Sequence, residues 1–227
     1  MDFSSYTCYN QVPVKKKGGK MDIYFDDSDK LSELMLKYDF ALKVLETQLN
    51  ILIKQFEFNN KYNPVEHIKS RIKSRESAFV KLSEKGYEIT AENLENHVHD
   101  MVGVRIVCSF LSDVYDIVNI IKNSNQFKIK YEKDYIKNPK ETGYMSYHLI
   151  VLVPIYLNNC IEHVEAEVQI RTIAMDFWAS LDHKIQYKFP KEIPAIVKKE
   201  MYNCSLDIKS LDEKMYRLSE IVNNYTE

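Results

Sequence analysis

Residues 164–171, "VEAEVQIR", alternate without a break: Val164, Ala166, Val168 and Ile170 are apolar, while Glu165, Glu167, Gln169 and Arg171 are polar. Successive side chains of a strand point to opposite faces, so this segment needs a sheet with one covered face and one polar face. The polar face sets a row of carboxylates beside an arginine. A cover for the other face is written upstream, where Leu31, Leu34, Met35, Tyr38, Leu42, Leu45, Leu49, Leu52 and Ile53 recur at helical spacing behind Asp29 as N-cap. That spacing predicts one long amphipathic helix.

Other segments follow the same logic. "VEHIKSRIK" (65–73) alternates as a strand, and "SRESAFVKLSEKG" predicts a helix closed by Gly86. "TAENLENHVHD" predicts a short capped helix, "MVGVRIVCSF" (101–110) a strand, and "LSDVYDIVNIIKNS" another helix. Strands are expected near 127–133, at 145–153 and at 164–170, then helices over 172–188 and about 192–224. The run "LIVLVPIYL" (149–157) is too short for a membrane helix and is expected to be a core strand that ends or bulges at Pro154. The order predicts an α+β fold: a mixed sheet of about five strands flanked by helices, with long helices at both ends. Residues 1–26 are polar, aperiodic and carry "KKKGGK", so a mobile arm is expected there, with RNA contact open to its lysines.

The polar faces narrow the chemistry. Lys69, Arg71, Lys73 and Arg75 alternate on one face of their strand, which by itself fits either a solvated surface or a polyanion site. Asp100 stands at the mouth of an apolar strand that contains Gly103 and Arg105. An Asp and a Glu from separate strands are what Mg²⁺ bound to substrate phosphates requires, although an acid there also caps turns. The six histidines lack the pairing of a zinc site, and Cys8, Cys108, Cys160 and Cys204 are too scattered for a zinc site or a disulfide framework, which fits a reducing cytoplasm. The net charge of −2 makes no general demand for nucleic acid or an anionic membrane, and the N-terminus shows no apolar signal region. Neither a glycine-rich phosphate loop nor a nucleophile elbow is present. After the turn "NPKETG", parity places Tyr144, Ser146 and His148 toward a site, and Met145, Tyr147 and Leu149 toward the core.

Four segments in this order, "SRIKSRES" (70–77), "DMVGVRIVCSFLSDVYDI" (100–117), "DYIKNPKETGYMSYH" (134–148) and "EVQIRTIAMDFWASLDHKIQYK" (167–188), resemble the synthetase domain of RelA/SpoT-type enzymes. The length and the helical flanks look most like the small alarmone synthetases. The likeness spans roughly residues 40–190. It implies a nucleotidyltransferase-like sheet and a GTP pyrophosphokinase that moves pyrophosphate from ATP to the 3′-hydroxyl of GDP or GTP, releasing AMP, in stringent-response signalling.

Matched by position, the resemblance implies that Arg71, Lys73, Lys81 and Arg105 bind ATP, and that Asp100 and Glu167 hold Mg²⁺ and are catalytic. Tyr144 would stack on guanine. Gln169, Arg171, His148 and Asp176 would line the acceptor side, with Lys130, Lys133 and Lys140 on the acceptor phosphates. Asp176 stands where many small synthetases carry Asn, which would put a charge on the acceptor side. The segment "NPVEHIK" does not match an allosteric site of some members, and no hydrolase region is expected. The implied organisation is a synthetase domain over 27–190 and a C-terminal oligomerisation helix over 191–227, building a cytoplasmic homotetramer. Two alternatives remain open at this point: a relative using tRNA or adenine nucleotides as acceptor, and a non-catalytic nucleotide- or RNA-binding module.

Overall fold

The computed structural model describes residues 12–16, 19–23, 28–158, 160–189 and 192–226. Its centre is a five-stranded sheet made of β3 (Val65–Ile72), β4 (Val102–Cys108), β5 (Lys128–Asp134), β6 (Tyr147–Tyr156) and β7 (Ile161–Thr172), in the order β3-β4-β7-β6-β5. Only the β4–β7 pair is parallel, so the sheet is mixed, as expected. Helix α1 (Ser28–Asn60) and helix α4 (Leu111–Lys122) cover one face. On α1 the inward stripe is Leu31, Leu34, Tyr38, Ala41, Leu45, Leu49 and Ile53, and α4 adds Val114, Ile117, Val118 and Ile121. These meet Val102, Val104, Ile106, Ala166, Val168 and Ile170, in one continuous core. Each fully buried Leu or Ile contributes roughly 2 kcal/mol of burial, which holds a 33-residue helix along the sheet.

Local signals set the ends of the shorter helices. Ser74 caps α2 (Arg75–Glu84) by accepting from the Ser77 N–H, and Gly86, at φ +80°, follows its C-terminus. Thr90 caps α3 (Ala91–His97) by accepting from Asn93 N–H at 3.1 Å. The chain closes with α5 (Ile173–Lys188) and α6 (Ala195–Thr226).

Two expectations are corrected by the fold. Strand β6 neither ends nor bulges at Pro154, which stays in register opposite His163. The β5 ladder reaches only to Leu152, so no neighbouring strand on that side asks the proline for an N–H. Arg75 does not continue the cationic row of β3, because the strand stops at Ile72 and Arg75 opens α2. Within the segment expected to be a mobile arm, β1 (Val12–Lys16) and β2 (Gly19–Ile23) pair antiparallel, Lys15 opposite Lys20, a ladder that the aperiodic sequence does not announce. The rest of that segment lies outside the described residues.

Candidate active site

The register lines up the uncovered face of the sheet. Lys133, His148, Gln169, Arg105 and Lys69 sit opposite one another in a single row across all five strands. Glu167, Gly103 and Arg71 form part of the next row. Between these rows lies a cleft of about 260 Å³ lined by Arg71, Asp100, Gly103, Arg105, Glu167 and Gln169 among others. A Cβ added to Gly103 would come no closer than 3.9 Å to Arg71. Close backbone approach therefore does not require this glycine; its missing side chain keeps the floor of the cleft open.

On the β7–β6 side the polar groups close into a ring. The Gln169 amide Nε2 donates to Glu167 Oε2 at 2.8 Å, and Gln169 Oε1 accepts from Arg171 Nη2. His148 Nδ1 lies 2.8 Å from Glu167 Oε1, and its Nε2 lies 2.9 Å from Tyr144 Oη. Arg171 Nη2 completes the circuit at 3.4 Å from Tyr144 Oη. An ionised carboxylate only accepts, so Nδ1 carries the proton toward Glu167. Burial pushes Glu167 up, but the hydrogen bond and charge of His148 and the Gln169 amide outweigh it, so its carboxyl lies below the usual range. Burial likewise pulls the Arg171 guanidinium, only 2% exposed, below its ordinary value, and pushes the Tyr144 phenol up.

The β3–α2 side is built differently. Lys73 Nζ and Lys81 Nζ reach the two oxygens of Asp100 at 3.0 and 2.8 Å. Burial raises the Asp100 carboxyl and these two lysines more than reverse it, leaving it ionised below the usual range. Arg71 is exposed and has no ion-pair partner among the described residues. Arg105 Nη1 and Arg171 Nη1 lie 3.2 and 3.5 Å from Asp176 Oδ1, which joins the two sides of the face. That oxygen accepts no hydrogen bond from either arginine, and the Nε atoms of both arginines are also buried without a hydrogen-bond partner among the described residues. Buried polar atoms left in this way are costly, and a polyanionic ligand would satisfy the donors.

The three lysines assigned to acceptor phosphates are dispersed. Lys130 is tied to Glu165 beside a bulge in β5, Lys133 stands opposite His148, and Lys140 Nζ sits 4.9 and 4.8 Å from the ring centroids of Tyr135 and Tyr144. Ser146 lies just before β6, which begins at Tyr147, and is wholly buried, with its hydroxyl 3.2 Å from Ile170 O and hydrogen-bonded to Tyr144. Sequence reasoning passed over Tyr135, whose ring meets both Tyr144 and His148 edge-on, and Trp178, whose centroid is 6.4 Å from that of Tyr144. Tyr135 ends no periodic run, so its sequence carries no signal; Trp178, the one tryptophan, does. The carboxylates of Asp100 and Glu167 open on one cleft as hard oxygen donors, both ionised and with lone pairs left over, a set that fits Mg²⁺ completed by phosphate oxygens and water.

The chain is similar to several known proteins. The family model described as "Region found in RelA / SpoT proteins" matches residues 70–192. The GTP pyrophosphokinase YwaC of Bacillus subtilis is 44% identical over 209 residues, covering 89% of this chain and 100% of that relative. The crystal structure of small alarmone synthetase 2 from B. subtilis is 46% identical, with a TM-score of 0.75 over 83% of this chain and 97% of that one. Small alarmone synthetase 1 of the same organism, solved with its product pppGpp, superposes at a TM-score of 0.79 and 31% identity, over 86% and 99% of the two chains.

Proposed function

Since the chain belongs to the RelA/SpoT family, we infer from that premise and from the cleft that it is a GTP pyrophosphokinase, a (p)ppGpp synthetase. Pyrophosphate passes from ATP to the 3′-hydroxyl of GDP or GTP. Because AMP leaves, the bond that forms joins the acceptor 3′-oxygen to the β-phosphorus, and the bond that breaks joins that phosphorus to the oxygen bridging to the α-phosphate. The observation that carries the reading is the convergence of two ionised carboxylates, Asp100 and Glu167, on a cleft that Lys69, Arg71 and Arg105 also line.

Such a transfer needs positioning and neutralisation of charge more than covalent chemistry. In this proposal Arg71, Lys73, Lys81 and Arg105 take the ATP phosphates. The unpaired Arg71 is free to do so at once, whereas Lys73 and Lys81 exchange part of their hold on Asp100. Asp100 and Glu167 would hold Mg²⁺, which supplies neutralisation of the donor phosphates and a lower cost for forming the alkoxide. Glu167 is kept ionised and oriented by His148 and Gln169, ready to receive the proton of the 3′-hydroxyl. Tyr144 offers its ring to guanine, with Gln169, Arg171, His148 and Asp176 fixing the acceptor, and Lys130, Lys133 and Lys140 serving its phosphates.

The synthetase domain would span 27–190. Along α6, Leu211, Met215 and Leu218 are exposed on one face, which supports assembly through residues 191–227 into a homotetramer. No helix among the described residues is long and apolar enough to cross a membrane, and action in the cytoplasm is consistent with the free Cys108, Cys160 and Cys204.

The test is chromatography of a reaction with labelled ATP and Mg²⁺, with GDP, GTP, adenine nucleotides and tRNA as acceptors. GDP or GTP should yield a 3′-pyrophosphorylated nucleotide plus AMP, and Asp100→Ala or Glu167→Ala should abolish it. Product only with tRNA or adenine nucleotides, or nucleotide binding without turnover, contradicts the reading.

A further inference from the structure

The turn that leads from β5 to β6 carries Lys140 and Tyr144, and its tightest point is Gly143, at φ +89°. A Cβ built there would overlap the Ser205 hydroxyl, lie 2.6 Å from Ser205 Cβ and stand 3.6 Å from Tyr202 Cα. The backbone of the turn is therefore pressed against α6, with no atom to spare. Ser205 itself is 3% exposed, and its hydroxyl is turned back onto Tyr202 O at 2.7 Å.

Two other contacts fix where that helix lies. Trp178 of α5 donates its indole N–H to Met201 O at 2.9 Å. Thr172, the last residue of β7, donates to Asp212 Oδ2 at 2.7 Å while accepting from the Met175 N–H as the N-cap of α5. Met201, Ser205, Ile208 and Asp212 are spaced by four, three and four residues, so they form one stripe of α6 facing inward. The exposed Leu211, Met215 and Leu218 lie on another face. These three contacts reach the acceptor side of the cleft: the turn before Tyr144, the strand end after Arg171, and the helix that carries Asp176.

We propose that the inner stripe of α6 is the seat of the acceptor loop, with Ser205 as a positioning residue that holds Gly143 and so sets Tyr144 and Lys140 for the acceptor nucleotide. This rests on the acceptor role of Tyr144 argued above. The mechanism is steric. The loop has its own hydrogen bonds, from Gly143 N–H to Lys140 O at 2.8 Å and from Lys140 N–H to Tyr144 O at 3.1 Å, which shape the turn but do not anchor it to the rest of the molecule. Contact with α6 adds an anchor for the backbone at Gly143 to the side-chain bonds that Tyr144 makes with His148 and Arg171, and preorganising a loop in its bound shape raises affinity by removing the cost of ordering it on binding. The contact at Gly143 is on the acceptor side, so ATP binding should not respond to a change at Ser205.

The experiment uses Ser205→Leu in the full chain, whose larger side chain displaces Gly143, and Ser205→Ala, which keeps the Cβ seat and removes only the hydroxyl. Hydrogen exchange of residues 138–146 is followed without nucleotides, and initial rates are measured with both substrates varied. Ser205→Leu should speed exchange in that segment and raise the acceptor KM about tenfold with the ATP KM within about twofold, while Ser205→Ala behaves as the parent protein. Equal rises in both KM values, or an unchanged acceptor KM and unchanged exchange in Ser205→Leu, overturns the seat. If Ser205→Leu does not fold, Ser205→Val takes its place with the same expectations. An inactive parent protein would instead contradict the synthetase reading, and the exchange data would still judge the seat.

Discussion

The two sides of the cleft hold their charges by different means. On the acceptor side, Arg171, Gln169, Glu167, His148 and Tyr144 bond to one another in a closed ring that is largely buried. On the proposed donor side, Arg71 is exposed without an ion pair among the described residues, and Lys73 and Lys81 converge on Asp100. The difference teaches where the fold has already met the cost of organising the site. Acceptor groups are positioned by folding, at the expense of burying an arginine and a glutamate that need each other. Of the proposed donor groups, Lys73 and Lys81 are held by Asp100 and Arg105 lies beside Asp176, while Arg71 is left for its ligand to position, so Arg71 contributes binding and little stability.

The strongest way to break this contrast is to remove one arginine from each side. Arg171→Met takes the cation out of the ring and leaves Gln169 and Tyr144 without their donor, so unfolding should become easier by about 3–5 kcal/mol. Arg71→Met should leave stability within about 0.5 kcal/mol while weakening ATP binding. Matched denaturant melts measure both, and equal losses would erase the distinction.

A smaller effect sharpens the contrast between the ring and its support. Burial pushes the Asp212 carboxyl up to about 6, only partly countered by the Thr172 hydroxyl, whereas Glu167 and Asp100 are depressed. An acid raised in the folded state weakens the fold as pH climbs from its unfolded value near 4 to about 6, and the penalty persists above that. Asp212→Asn should therefore stabilise the protein by on the order of 2 kcal/mol at pH 8 and by much less at pH 4. For Asp100 and Glu167 the sign is opposite: their contribution is present above the unfolded value and is lost as pH falls through the depressed folded one. Melts at the two pH values check this, and a gain that is the same at both would contradict it.

The smallest effect separates the two tyrosines of one strand start. Tyr147 donates its hydroxyl to Glu132 Oε2 at 2.9 Å, at the far side of the sheet from the cleft. Tyr147→Phe should cost about 1 kcal/mol of stability and leave both KM values unchanged.

Much of this was legible in the sequence. The alternation of 164–171 fixed which side chains face the cleft, and the α1 stripe fixed what covers the other side, because both depend only on strand and helix periods. Gln169 faces the cleft for the same reason, whereas Asp100 stood out at the mouth of β4 and Arg105 as a cation in an apolar run. What the sequence could not supply was long-range: that Asp176, on α5, reaches two arginines from different strands, or that Gly143 rests on Ser205, 62 positions away. Pro154 was misread because its neighbouring strand is one ladder step too short to need an N–H there, a fact of register and not of composition.

The central claim is that acceptor and donor sides are organised separately, and two-substrate initial-rate kinetics on Tyr144→Ala and Lys81→Ala tests it most directly. Tyr144→Ala should raise the acceptor KM about tenfold and leave the ATP KM within about twofold, and Lys81→Ala should do the reverse. If either substitution raises both KM values together, the two sides are one unit and the account is wrong.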